Sequence, residues 1–115
     1  MKKIALFVFN GDPMCFIHVL LNAIDMDGKG IEAKIIIEGA CVKLIPELAK
    51  EENPLLKLWE KVKLKGLVHG VCRACSQKLG TLKYAEAQGL TMLDDMSGHP
   101  SMSAYLDDGY EIITF

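Results

Sequence analysis

The amino-acid sequence predicts an α/β protein in which helices cover both faces of a mostly parallel sheet. Short apolar runs rich in β-forming residues alternate with longer segments whose apolar residues recur at helical spacing. Strands and helices in this alternation form β-α-β units with right-handed crossovers. A chain of 115 residues is long enough for one domain with its own core, so we predict a single domain over residues 1–115.

The first two strands and the helix between them have the clearest signals. Residues 4–9 form a continuous apolar run, which is typical of a central strand covered on both sides. Asp12 is a good N-cap and Pro13 suits the first helical position, so a helix begins here and ends near Gly28. A second strand is predicted over residues 33–38, just before Gly39.

Two helices and a third strand are predicted in the middle of the chain. A short helix fits residues 41–50, and a second helix, capped by Asn53, has its apolar residues along one face. The third strand covers residues 67–71 and leads directly to Cys72.

The last third of the chain completes the predicted sheet. One helix is expected over residues 73–88, followed by a strand over 90–93. A short helix then ends at Gly109, and residues 110–115 form the last strand. About five mostly parallel strands in this order match a three-layer αβα, flavodoxin-like architecture.

Composition excludes several classes of partner. Half of the residues are apolar, 24% are charged and the formal net charge is −2, so nucleic acid is not an expected ligand. No stretch approaches the roughly 20 apolar residues that span a bilayer, and the start of the chain lacks the pattern of a signal peptide. We therefore expect a soluble, cytoplasmic protein with no membrane partner.

Nucleotide and flavin cofactors are also not expected. The chain contains neither GxGxxG nor GxxxxGK[ST], the glycine-rich motifs that bind phosphate in such folds. The loop after the first strand contains Asp12, whose negative charge would repel a phosphate group.

Four cysteines and a histidine follow predicted strands and are the main candidates for function. Because the carboxyl ends of parallel strands share one edge of the sheet, these residues are drawn toward one side of the molecule. In a reducing compartment, such cysteines favour catalysis, sulfur transfer or metal binding over structural disulfides. The alternative is that some are simply small core residues. The five residues are Cys15, Cys41, Cys72, Cys75 and His99.

Cys72 and Cys75 give the strongest signal. A cysteine at a helix N-terminus lies near unpaired backbone N–H groups, which stabilise the thiolate and lower the pKa of the thiol, and Arg73 adds a positive charge. Cys75 follows one helical turn later on about the same face. The pair is therefore suited to form a disulfide, to resolve a sulfur adduct, or to chelate a metal, and the sequence leaves these three uses open.

Cys41 and His99 are the candidate helpers of this pair. Cys41 is also predicted near a helix start after a strand, and His99 lies in a loop where it can act as an acid, a base or a ligand. An ordinary helix-capping turn explains the same loop. Cys15 is expected closer to the core, and the nearby Asp12 opposes formation of its thiolate. His69 is expected to be a packed or hydrogen-bonded strand residue.

Two segments carry a resemblance to a known family. Residues 67–75 (LVHGVCRAC), together with residues 38–42 (EGACV), resemble the DsrE/DsrF-like family of small sulfur-relay proteins. The resemblance implies that the cysteine after the third strand, Cys72, accepts sulfane sulfur as a persulfide. This sequence departs from the family pattern in having Cys75, Cys41 and Cys15, and we expect Cys75 to assist Cys72. The resemblance further implies a sulfurtransferase-like carrier without a cofactor, sulfur donor and acceptor proteins, and a homo-oligomer.

Two other functions remain open from the sequence. The first is a zinc- or iron-binding module in which Cys72 and Cys75 are completed by Cys41, Cys15 or His99. The second is a non-catalytic oligomeric scaffold whose thiols are only buried.

Overall fold

A computed structural model describes residues 1–115 and contains one five-stranded sheet. The strands lie in the order β4-β3-β2-β1-β5, and all pairs are parallel. The predicted α/β fold with five parallel strands is confirmed. The strands are β1 Lys3–Val8, β2 Glu32–Ile37, β3 Val68–Cys72, β4 Met92–Leu93 and β5 Glu111–Thr114.

The helices follow the predicted order, with three differences in detail. Asn53 is not the N-cap of the helix predicted after it, because that helix begins at Leu56 with Leu55 as its N-cap, and Asn53 Oδ1 accepts a hydrogen bond from the Leu55 N–H in the preceding turn. The segment expected to be one helix over 41–50 begins as a 3-10 helix, Gly39–Lys43, before α2. No helix has both the length and the apolar character needed to cross a bilayer. The α-helices are α1 Pro13–Gly28, α2 Leu44–Leu48, α3 Leu56–Leu64, α4 Arg73–Lys78, α5 Leu82–Ala87 and α6 Met102–Asp107.

The predicted single helix over 73–88 is wrong, because the chain breaks it at Gly80. Gly80 has φ +75°, a left-handed conformation that glycine adopts at low cost. The Gly80 N–H donates to the Gln77 carbonyl, and the Thr81 N–H donates to the Ser76 carbonyl (2.8 Å). These bonds form a Schellman motif, which satisfies the last carbonyls of α4 and ends it after six residues.

The two faces of the sheet are covered unequally. The connections from β1 to β4 all step in one direction across the sheet, so right-handed crossovers put their helices on one face. The connection from β4 returns past β1 to β5, and α6 therefore lies on the other face. The larger core contains Phe16 of α1 and Trp59 of α3, whereas Tyr105 of α6 packs against Phe7 in a smaller core.

This topology creates one crevice at the carboxyl edge of the sheet. The chain leaves β3 toward the face with most of the helices, and it leaves the neighbouring β4 toward the face with α6. Neighbouring strands whose connections diverge in this way define a topological switch point, where α/β proteins usually bind ligands. Gly70 lets β4 approach closely, since a Cβ there would lie 2.7 Å from the Thr91 carbonyl oxygen.

Candidate functional site

Cys72 occupies the switch point because it is both the last residue of β3 and the N-cap of α4. Its Sγ accepts a hydrogen bond from the Cys75 N–H (3.4 Å). Its side chain is completely buried, with 0% of its surface exposed. Strand pairing with Leu93 of β4 fixes the backbone here, so the position of the sulfur is set by the sheet itself.

Cys75 lies one turn further along α4 and is half-buried. Its Sγ accepts a hydrogen bond from the Gly39 N–H (3.3 Å), which comes from the loop after β2. Gly39 has φ +55°, and a Cβ there would lie 3.2 Å from the Phe9 carbonyl oxygen. The end of β2 therefore also helps to hold the cysteine pair.

His99 reaches the cysteines through a tight turn after β4. The Met96 N–H donates to the His99 carbonyl (2.7 Å), and the His99 N–H donates back to the Met96 carbonyl (3.0 Å). Ser97 and Gly98 both have positive φ, 51° and 91°, as a type I′ turn requires. The Ala74 N–H donates to the Gly98 carbonyl (2.9 Å) and ties this turn to the first turn of α4.

The three side chains form what we call the thiol–imidazole cluster, defined as Cys72, Cys75 and His99. His99 Nδ1 lies 3.1 Å from Cys72 Sγ and 3.9 Å from Cys75 Sγ. The two sulfurs and an imidazole nitrogen all lie within 4.8 Å of one another. Cys75 and His99 are partly exposed to solvent, whereas Cys72 lies beneath them.

The predicted lowering of the Cys72 pKa is wrong. Burial raises the pKa of the Cys72 thiol to about 12, and the hydrogen bond from the Cys75 N–H acts in the opposite direction. α4 has only six residues, so its dipole is weak. Arg73 does not assist either, because its Nε donates to Asp94 Oδ2 (2.9 Å). The His99 imidazole, whose Nδ1 lies 3.1 Å from Cys72 Sγ, is placed where it can accept the Cys72 proton.

Glu38 is a feature of this region that the sequence analysis missed. It follows β2 directly, and only 7% of its surface is exposed. Burial raises the pKa of Glu38 to about 7. When ionised, Glu38 also raises the pKa of Cys72. An acidic residue that directly follows an apolar strand was the available signal, but sequence does not distinguish a buried acid from an exposed one.

Cys41 and Cys15 do not join the cluster. Cys41 is completely buried in the larger apolar core, and this burial raises the pKa of its thiol to about 12. Cys15 is half-buried on α1, where Asn10 Nδ2 lies 3.5 Å from its Sγ. Of the five candidate residues, the structure thus brings together Cys72, Cys75 and His99.

His69 lies on the other face of the sheet and is packed, as predicted. Its Nδ1 is hydrogen-bonded to the Tyr105 hydroxyl, and the two rings meet edge to face. Burial and the nearby Lys34 lower the pKa of His69. These three residues line a cavity of about 300 Å³ under α6, which contains neither cysteine. This cavity and the thiol–imidazole cluster are therefore separate features.

Comparisons with known proteins agree with this architecture. A model of the DsrE/DsrF-like family matches residues 3–115. An uncharacterised protein of Methanocaldococcus jannaschii is 38% identical over 96 residues, which are 84% of this chain and 76% of that protein. An uncharacterised protein of Archaeoglobus fulgidus is 50% identical over 38 residues, covering 33% of this chain and 62% of its own length.

A solved structure has the same fold. It is a conserved protein of unknown function from Bacteroides thetaiotaomicron, with a TM-score of 0.67 and 18% sequence identity. The match covers 99% of this chain and 95% of the other. At this identity the likeness concerns the fold alone.

Proposed function

This chain belongs to the DsrE/DsrF-like family, and we propose that it is a sulfur-relay protein that carries sulfane sulfur as a persulfide on Cys72. The observation that carries the proposal is the 3.1 Å contact between Cys72 Sγ and His99 Nδ1, with the Cys75 thiol beside them. A thiol paired with an imidazole is a nucleophile with its own proton acceptor.

In the proposed relay, sulfur enters at Cys75. Cys75 is partly exposed, whereas Cys72 is completely buried. The Cys75 thiolate attacks the terminal sulfur of the donor persulfide, the donor sulfur–sulfur bond breaks, and the donor leaves as a thiolate. Access limits thiol exchange as much as nucleophilicity does. Cys75, the more exposed of the two thiols, therefore receives the sulfur from the donor and assists Cys72.

Transfer to Cys72 is the second step. The Cys72 thiolate attacks the outer sulfur of the Cys75 persulfide, the bond between the two Cys75-borne sulfurs breaks, and the Cys75 thiolate leaves. No oxidant is needed, because one sulfane sulfur moves between two thiols. His99 takes the Cys72 proton before the attack, which makes a thiolate–imidazolium pair that is neutral overall. A neutral pair avoids most of the cost of burying a lone thiolate.

Burial then protects the carried sulfur. A persulfide on Cys72 lies beneath Cys75 and His99, away from the small thiols that would reduce it. Release requires an acceptor thiolate to reach the cluster and attack the outer sulfur, with Cys72 leaving as a thiolate. Alternatively, the Cys75 thiolate attacks the inner sulfur, the persulfide sulfur–sulfur bond breaks, hydrosulfide leaves and a Cys72–Cys75 disulfide remains. We therefore propose that sulfur donor and acceptor proteins dock over the switch point. We also expect the homo-oligomer that the family implies, which light scattering during gel filtration would detect.

Trypsin makes the relay directly testable, because Arg73 lies between the two cysteines. Cleavage puts Cys72 in residues 66–73 and Cys75 in residues 74–78. The reduced protein is incubated with inorganic polysulfide, quenched with excess iodoacetamide, digested and analysed by mass spectrometry. A persulfide adds about 32 Da, the mass of one sulfur atom, to the alkylated peptide.

The expected result is an adduct on residues 66–73 of the wild type. In Cys72→Ser the adduct should stay on residues 74–78, and in Cys75→Ser loading of Cys72 should fall by about tenfold or more. Cys15→Ser is the matched control and should load normally, since Cys15 lies outside the cluster. Absence of an adduct on residues 66–73 of the folded wild-type protein would overturn the proposal.

A further inference from the structure

The thiol–imidazole cluster also has the composition and spacing of a metal site, and we propose that Cys72, Cys75 and His99 bind Zn²⁺ with three ligands and one open position. Two thiolates and one imidazole are a set that zinc accepts, and three protein ligands with an open fourth position are typical of a reactive zinc site. Zinc binding is a property of the cluster separate from sulfur loading.

The distances between the donor atoms support this site. With the usual zinc–sulfur and zinc–nitrogen bond lengths, a sulfur and a nitrogen on one tetrahedral ion lie about 3.6 Å apart. The observed distances from His99 Nδ1 to the two sulfurs, 3.1 and 3.9 Å, lie on either side of that value. All three donor atoms already lie within 4.8 Å of one another. The two sulfurs are therefore no more than about 1 Å farther apart than the roughly 3.8 Å between two sulfurs on one tetrahedral zinc ion, so modest side-chain shifts bring all three atoms to binding distance.

Hydrogen bonds around the cluster favour the thiolates that zinc requires. The Gly39 N–H donates to Cys75 Sγ, and the Cys75 N–H donates to Cys72 Sγ. Backbone N–H donors on a ligand sulfur stabilise its negative charge, and outer contacts of this kind orient metal ligands. The ligands come from two rigid positions, the end of β3 with the first turn of α4 and the tight turn after β4. The site is thus largely formed before the metal arrives.

The structure also provides an entry path and narrows the ligand set. Cys75 and His99 are partly exposed, so an ion can reach the cluster from solvent. Cys41 and Cys15, which the sequence left open as ligands, lie outside the group of close donor atoms. The fourth position is left for water or for a small sulfur anion. Zinc and a persulfide would compete for the same thiolates.

The proposal is tested on reduced protein freed of metal with a chelator and then returned to buffer. Zn²⁺ is added in competition with a chromophoric chelator, and proton release is followed in weak buffer. We expect one Zn²⁺ per chain and close to two protons released, because both thiols must lose their protons to bind the ion. Co²⁺ should give the visible bands of a tetrahedral ion together with sulfur-to-cobalt charge transfer.

Variants identify the ligands. Cys72→Ser, Cys75→Ser and His99→Gln should each weaken zinc binding by about a hundredfold or more, since even outer-contact changes cost up to that much. Cys15→Ser should bind as tightly as the wild type. If a ligand variant does not fold, protection of Cys75 from iodoacetamide by Zn²⁺ in the wild type gives the same information. Absence of binding, or binding that the three variants leave unchanged, overturns the proposal.

These measurements also separate the metal site from sulfur transfer. The zinc titration contains no sulfur donor, and the polysulfide experiment is done on metal-free protein. Failure of sulfur loading with intact zinc binding would contradict the relay alone, and the reverse result would contradict the metal site alone.

Discussion

The ends of β1 and β3 begin alike but lead to different surroundings. Each strand is followed by a helix with a cysteine in or before its first turn, Cys15 on α1 and Cys72 at α4. After β1, the side chains near Cys15 are an amide, from Asn10, and the capping carboxylate of Asp12. After β3, a second thiol and an imidazole face Cys72.

The topology of the sheet explains this difference. β1 and its neighbour β2 both send the chain to the same face, so their exit loops lie side by side and leave no crevice. β3 and β4 send it to opposite faces, and the loops that diverge there leave the space that His99 enters. A cysteine at a strand end is therefore a weak signal, and a cysteine at a switch point is a strong one.

Alkylation of the four cysteines is expected to give the largest contrast. Cys15 and Cys75 are half-buried and should react in the native protein, whereas Cys41 lies in the apolar core. A core thiol reacts only when the protein unfolds, so Cys41 should react about a thousandfold more slowly than Cys15, or slower still. Iodoacetamide labelling followed by tryptic mass mapping measures all four rates.

The same experiment tests the layering of the cluster. Cys72 should react more slowly than Cys75, because Cys72 lies beneath Cys75. Equal rates at Cys41 and Cys15 would contradict the core assignment, and Cys72 reacting before Cys75 would contradict the proposed order of sulfur entry. Labelling in denaturant gives the reference rate for each thiol.

Glu38 and Asp12 provide the next contrast, since both are acids beyond strand ends. Burial raises the pKa of Glu38 to about 7, whereas Asp12 is exposed and accepts a hydrogen bond from the Met14 N–H. The folded protein thus holds the Glu38 proton more tightly than the unfolded chain does. The contribution of the protonated Glu38 carboxyl to the free energy of unfolding is fully present below about pH 4.5 and is lost as the pH rises through about 7.

The substitution Glu38→Gln removes the loss of stability that follows ionisation of Glu38. Above pH 7 the variant should be more stable than the wild type by up to about 3 kcal/mol, and the difference should shrink to near zero below about pH 4.5. Urea unfolding across this range, with a chelator present, measures it. Asp12→Asn is the matched control and should change stability little, because Asn caps helices about as well as Asp. A pH-independent difference for Glu38→Gln would contradict the buried carboxyl.

Alanine substitutions at Gly98 and Gly89 distinguish the free-energy cost of backbone strain from the role of the turn that holds His99. Both glycines have positive φ, but only at Gly98 does an added Cβ meet another atom, Ala74 Cβ at 3.3 Å. Alanine at either position should cost about 1–2 kcal/mol, since a left-handed conformation crowds its Cβ. Thermal unfolding measures this cost.

Only the change at Gly98 should also alter the thiols. Gly98→Ala pushes the turn away from α4 and lengthens the contact between His99 and Cys72, so the iodoacetamide reaction of Cys72 should change severalfold. Gly89→Ala should leave it as in the wild type. The same effect from both variants would show that the turn does not hold the imidazole in place.

The sequence predicted most of the fold because its strongest signals are local. Asp12 and Pro13 start α1 as expected, and the five apolar runs become the five strands. The break at Gly80 was missed because glycine in a helix costs only about 1 kcal/mol, so it does not by itself predict where a helix ends.

The site was predicted less completely because its properties depend on burial and strand order. Cys72, Cys75 and His99 were all candidates, but their convergence follows from β3 lying beside β4, which the sequence does not state. The raised pKa of Cys72 follows from burial beneath Cys75, which a helix N-terminus alone does not suggest. Buried groups such as Glu38 are decided by the same long-range packing.

The smallest expected effect concerns Arg73, whose charge faces Asp94 and not the thiols. Their ion pair is 2.9 Å long but exposed, and exposed pairs contribute about 0–1 kcal/mol. Arg73→Gln should therefore lower stability by less than about 1 kcal/mol, as should Asp94→Asn. It should also leave the rate at which Cys75 reacts with a chromogenic disulfide within about twofold, at low and high salt alike. A tenfold slower reaction in Arg73→Gln that Asp94→Asn does not reproduce would mean that the guanidinium acts on the Cys75 thiolate.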